Sequence, residues 1–92
     1  VLGTPSYMSP EQAEGKKEVG PSTDVWALGA VLYACLTGRP PFQATTPLDT
    51  TMQVVSDDPA PPRKLNSAVP SDLETICLKC LRKQPEGRFR SA

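Results

Sequence analysis

Gly3-Thr4-Pro5-Ser6-Tyr7-Met8-Ser9-Pro10-Glu11, followed after a polar loop by Asp24-Val25-Trp26-Ala27-Leu28-Gly29, is the pair of blocks on which the reading of this chain turns. The end of the first block is a helix start. Ser9 is a good N-cap, Pro10 suits the first helical position, and Gln12 stands three residues after the cap, the capping-box arrangement. A short helix is expected from Ser9. It cannot run far, because Gly15, Gly20 and Pro21 punctuate the polar stretch from Glu14 to Ser22, which reads as a surface loop.

The second block opens a longer helix, expected from near Ser22 with Asp24 in its first turn. Gly38 suits the left-handed position after its last turn, and Pro40-Pro41 forbids continuation. The apolar residues go all the way round it. Trp26, Leu28 and Leu32 read as core, and such a helix needs neighbours on every side, so it belongs at the centre of a body larger than this chain. Thr46-Pro47-Leu48-Asp49 repeats the capping pattern, and Leu48, Met52 and Val55 give the next helix one narrow apolar stripe. The stretch from Asp57 to Pro70 contains Pro59, Pro61, Pro62 and Pro70 and is expected to run extended over the surface. Ser71-Asp72-Leu73-Glu74 looks like another capping box. Leu73, Ile76, Cys77, Cys80 and Leu81 follow at helical spacing, with acidic residues at the start and Lys79, Arg82 and Lys83 at the end, as the helix dipole favours. Ser91-Ala92 reads as a cap without its helix, so residues 1–92 are expected to be part of a domain cut at both ends.

Composition narrows the classes. Ninety-two residues with 38% hydrophobic content supply one modest core. Ten basic and ten acidic side chains cancel and are scattered, which gives no field to attract nucleic acid or an acidic lipid surface. Val25 to Leu36 is apolar apart from the Tyr33 hydroxyl, but at twelve residues it is well short of the roughly 20 needed to span a bilayer. No membrane contact is expected from this segment. Three cysteines, Cys35, Cys77 and Cys80, make no disulfide framework and suit a reducing, cytoplasmic setting.

Cys77-Leu78-Lys79-Cys80 has the C-x-x-C spacing of zinc and redox sites. A structural zinc needs four ligands; the chain has one such pair and no histidine, and both cysteines lie on the apolar stripe, so core packing is the expectation. Without histidine there is no imidazole acid–base chemistry, and six isolated glycines build no phosphate-cradling loop.

The two opening blocks resemble the end of the activation segment and the central helix of the C-terminal lobe of protein kinases. The resemblance runs through the whole chain, by way of the Pro40-Pro41-Phe42 turn and a substrate-side helix to Pro85-Glu86-Gly87-Arg88. Gly3-Thr4-Pro5-Ser6-Tyr7-Met8 is similar to serine/threonine rather than tyrosine kinases, and Ser9-Pro10-Glu11-Gln12-Ala13 to their bacterial branch. The fold implied is mainly α, a partial C-terminal lobe of a two-lobed α+β parent.

The resemblance also implies roles. Thr4 would set its hydroxyl against a catalytic-loop aspartate and lysine outside the chain, supporting the base without being one. Val1, Pro5 and Met8 would form the apolar pocket for the substrate residue after the phosphorylated hydroxyl. Glu11 and Arg88 would form the family's ion pair between the activation-segment end and the far end of the lobe. Asp24 would accept backbone N–H groups of the catalytic loop, Trp26 would fill the core, and Val31 and Cys35 would anchor the apolar columns rising toward the nucleotide. The parent would transfer the gamma-phosphoryl of ATP, with Mg2+, to a protein serine or threonine. Its Gly-rich loop, strand lysine, H-R-D-type loop and D-F-G aspartate have no counterpart in these residues, so the chain alone is expected to bind neither ATP nor Mg2+ and to be inactive. Its partners would be a protein substrate and the remainder of the domain, with any membrane anchor elsewhere. The alternative is a non-catalytic helical interaction module derived from such a lobe.

Overall fold

Among the described residues, prolines open four of the five helices. Pro10, Pro21, Pro47 and Pro62 stand at the starts of α1 (Pro10–Ala13), α2 (Pro21–Thr37), α3 (Pro47–Ser56) and α4 (Pro62–Leu65), where a missing N–H removes no helical hydrogen bond. The fifth helix, α5 (Ser71–Cys80), follows Pro70. Short 3-10 turns lie at Pro5–Tyr7 and Pro85–Gly87. The coordinates are a computed structural model that describes residues 5–16 and 20–90, and among the described residues there is no strand. The mainly α class read from the sequence holds.

Local chemistry sets the helix ends. The Ser9 capping box is complete: Gln12 N–H donates to Ser9 Oγ at 3.2 Å, and Ser9 N–H donates to Gln12 Oε1 at 3.0 Å. Thr46 caps α3 by accepting from Asp49 N–H at 3.1 Å. Gly38 ends α2 in the left-handed conformation at φ 83°, a region that side chains with a Cβ rarely enter. Two ends differ from the sequence reading. Helix α2, expected from near Ser22, starts one residue earlier at Pro21, with Gly20 as its cap residue. Ser71 is the first residue of α5 and caps nothing; Glu74 turns instead to accept from Arg63 N–H at 2.9 Å, fastening α4 to α5.

The core gathers on one side of α2. Trp26, Ala30 and Tyr33 are buried against Phe42, Val54, Cys77 and Leu81, while Asp24, Ala27, Leu28, Val31 and Cys35 share the opposite, exposed face. Leu28, expected in the core, is therefore 52% exposed, and Leu32 is only half-buried. The reason is that the described residues pack on α2 from one side only. Helix α3 departs from expectation too. Leu48 and Met52 point outward, and Thr50 and Val54 point in. A threonine can take the buried place because its hydroxyl is satisfied locally, accepting from Ala44 N–H at 2.9 Å and donating to Thr46 O at 3.1 Å. Helix α5 ends at Cys80, so Arg82 and Lys83, expected at its end, lie beyond it; its inward face is also narrower than the stripe read from the sequence, with Cys77, Cys80 and the following Leu81 buried and Ile76 43% exposed. The proline-rich stretch is not extended throughout, since Pro62 starts the single turn of α4 and is itself buried. Tyr33 Oη donates to Ala60 O at 2.7 Å and Asn66 Nδ2 to Leu36 O at 3.0 Å, which bind this stretch to the central helix.

Helices α2 and α5 meet at Gly29. A Cβ there would lie 2.5 Å from Cys80 Cβ and 3.2 Å from Leu81 Cδ2, and Cys77 Sγ donates to Gly29 O at 3.5 Å. Gly29→Ala would gain helix propensity but must push α5 away. We expect a net loss of about 1–3 kcal/mol in the complete domain, read by denaturant unfolding; a variant as stable as wild type would show that the helices part without cost.

Candidate functional site

Arg88 lies just past the 3-10 turn at Pro85–Gly87, and its guanidinium meets the carboxylate of Glu11 from the first turn of α1. Arg88 Nη1 donates to Glu11 Oε2 at 2.8 Å and Nη2 to Glu11 Oε1 at 2.9 Å, the two-pronged geometry that a planar fork allows and an ammonium does not. The remaining donors are used as well: Nε bonds Arg82 O at 2.7 Å, Nη1 bonds Ser22 O at 2.9 Å, and Nη2 bonds Lys83 O at 3.1 Å. Every N–H of the guanidinium is therefore matched. On the other partner, Thr23 Oγ1 donates to Glu11 Oε2 at 2.8 Å. Both side chains are buried, Glu11 at 7% exposure and Arg88 at 4%. This one arrangement joins the end of the opening block, the start of α2 and the segment after α5.

Burial pushes the Glu11 carboxyl up, but the hydrogen bonds from Arg88, its own backbone and Thr23, with the charge of Arg88, outweigh it and hold the group down at about 2, against an ordinary 4.5. A depressed carboxylate contributes stability that is present above the unfolded value and lost as pH falls through the folded one. The complete domain should therefore lose stability between pH 4.5 and about 2, and Glu11→Gln, weaker at neutral pH, should lose less across the same window. Parallel acid profiles in the two proteins would mean that Glu11 is not the group responsible.

Trp26 backs the clamp. Arg88 Cζ sits 5.0 Å from the centroid of the indole ring, and Phe42 stacks on Trp26 with 8° between planes and centroids 6.4 Å apart. Pro5 and Met8, from the sequence-read pocket, are half-buried; Pro5 opens the first 3-10 turn and Met8 follows it, donating its N–H to Pro5 O at 3.2 Å, and this turn packs on α3. Asp24 is exposed, and its carboxylate has no partner among the described residues, while Val31 and Cys35 lie on the same exposed face of α2. Val1 and Thr4 fall outside the described residues. Cys77 and Cys80 are buried, and burial pushes the Cys77 thiol up to about 12, so it stays protonated and unreactive.

Sequence reasoning named both ends of the clamp and missed what surrounds it. Nothing in the pattern marks Thr23, the Ser22 carbonyl or the Lys83 carbonyl. The position of Phe42, directly after two prolines and the only aromatic between Tyr33 and Phe89, was the one available signal for its place beside Trp26.

Comparison with known proteins agrees with this geometry. A protein kinase domain model matches residues 1–92. The chain is 45% identical over all 92 residues to the serine/threonine-protein kinase PknB of Mycobacterium tuberculosis and 39% identical to a probable serine/threonine-protein kinase of Clostridium acetobutylicum, covering 100% of this chain and 14% of either relative. The chain thus spans about one seventh of the length of these relatives. Among solved structures, the twitchin kinase region from C. elegans superposes with a TM-score of 0.87 at 32% identity, over 97% of this chain and 16% of that one. With a family model and relatives that match along its whole length, the chain belongs to the protein kinase family and forms part of the C-terminal lobe of the kinase domain.

Proposed function

We propose that the protein containing this segment is a serine/threonine kinase that moves the gamma-phosphoryl of ATP to protein hydroxyls, and that the segment supplies the substrate-side surface and the lobe core. The observation that carries this reading is the Glu11 and Arg88 clamp, which fixes the backbone immediately after the turn at Pro5–Tyr7. A peptide docked in extended form against side chains needs such a fixed floor. On this reading Val1, Pro5 and Met8 contact the substrate residue after the phosphorylated hydroxyl. Thr4 positions the catalytic loop through its hydroxyl, and Asp24 receives backbone N–H groups of that loop. The exposed face of α2, with Val31 and Cys35, is where the rest of the domain seats.

Nucleotide and metal belong to other parts of the protein. On this reading they are held outside the segment; among the described residues there is no group of three or more His, Cys, Asp or Glu side chains placed to hold a cation. We place the segment in the cytoplasm on the strength of its free cysteines, and no described helix is long and apolar enough to cross a membrane. The test is phosphoryl transfer from radiolabelled ATP by the complete protein, followed by phosphoamino-acid analysis. Phosphoserine or phosphothreonine is the expected product; phosphotyrosine alone, or no transfer, would contradict the reading.

A further inference from the structure

Lys83 lies three residues beyond the end of α5 and folds its side chain back over two aromatic rings. Its Nζ lies 4.1 Å from the centroid of Phe42 and 5.3 Å from that of Trp26; it is shielded from water and has no hydrogen-bond partner among the described residues. The backbone carbonyl of the same residue accepts from Arg88 Nη2, so Lys83 touches both the aromatic pair and the clamp. A buried ammonium without an acceptor is a costly choice, and an unbranched apolar side chain of similar length would fill the place without desolvating a charge. What the charge adds is attraction to ring faces.

We infer that Lys83 is a positioning residue for the peptide-docking side of the lobe: its ammonium holds the Pro40-Pro41-Phe42 turn, and with it the start of α3, against the central helix. Phe42 begins the connection into α3, Ala44 N–H is bonded to Thr50 within that helix, and α3 packs against α1 and the turn at Pro5–Tyr7. Loosening Phe42 therefore loosens the support beneath Pro5 and Met8. The inference rests on the substrate-side reading of those residues given above.

The hold should fade as the amine loses its proton. Burial lowers the Lys83 ammonium to about 8, with Asp58 and Asp57 favouring the charged form and Arg88 opposing it. Across the adjoining cleft stand Glu11, Glu14, Lys16 and Glu86. Because the folded value lies below the ordinary 10.5, the ring contact is charged below about pH 8 and is given up above it, while global stability from this group rises over the same interval.

The test is steady-state kinetics of the complete kinase with Lys83→Met and Lys83→Arg, at pH 7 and pH 9, with thermal unfolding alongside. Lys83→Met should raise KM for a peptide substrate several-fold, leave KM for ATP unchanged, and leave Tm equal or higher, a combination that a purely structural role would not produce. Lys83→Arg should retain low peptide KM at both pH values, whereas wild type should weaken toward peptide at pH 9. Unchanged peptide KM in Lys83→Met, a parallel rise in both KM values with a fall in Tm, or identical pH profiles for wild type and Lys83→Arg would each overturn the inference alone. A wild-type protein that transfers no phosphoryl group to peptide would overturn it together with the reading beneath it.

Discussion

Arg88→Gln is expected to destabilise the complete kinase domain by about 3–5 kcal/mol, because it strands the buried Glu11 carboxylate and leaves the carbonyls of Arg82, Ser22 and Lys83 short of a donor. Arg88→Lys should recover only a minor part. A single ammonium has three donors on one atom and cannot reach both carboxylate oxygens and three carbonyls that surround a planar fork. Denaturant unfolding of the complete domain reads the effect, and a change below about 1 kcal/mol would place the pair among ordinary surface ion pairs. Loss of the clamp should also be visible in function, since the backbone freed at Glu11 is continuous with the turn at Pro5–Tyr7.

Thr4→Val should lower kcat on the order of 10²-fold with little change in stability, the cost expected when a reacting group is displaced by about an ångström. The substitution keeps the shape of the side chain and removes only the hydroxyl. Thr4→Ser, which keeps the hydroxyl and removes the methyl, should retain most of the activity. Phosphoryl-transfer kinetics run beside thermal unfolding separate the outcomes: wild-type kcat in Thr4→Val, or a loss explained by unfolding, would reduce Thr4 to a turn residue.

How far the sequence disclosed this structure depends on the range of the interaction involved. Caps and stops were legible because they are made within four residues: Ser9 with Gln12, Thr46 with Asp49, and Gly38 in its left-handed turn all follow from local chemistry. The misplaced faces come from tertiary context. Leu48 and Met52 looked like the inward stripe of α3, yet the segment between Phe42 and Thr46 satisfies the Thr50 hydroxyl and turns Val54 to the core instead. Pro61-Pro62 looked extended because prolines break helices, but a proline at a helix start breaks nothing, and Pro62 uses that exception. Ser71 has no capping role because the helix takes it in as its first residue, with Pro70 at the cap position and Glu74 N–H bonded to Pro70 O. The candidate site divides in the same way. Glu11 and Arg88 were found through motif resemblance, 77 residues apart, and Phe42 was named only as part of a turn; the places of Thr23, Phe42 and Lys83 around the clamp became visible only when the chain folded.

The coupling between Glu11 and Arg88 holds the opening block to the lobe, and a double-mutant cycle measures it. Glu11→Gln, Arg88→Gln and the double variant, each in the complete kinase, should give an interaction energy above about 1 kcal/mol in unfolding free energy, with the double variant less destabilised than the two single effects added together. Strictly additive effects would mean that the two side chains do not act on each other, and that the end of the opening block is fastened to the lobe by something else.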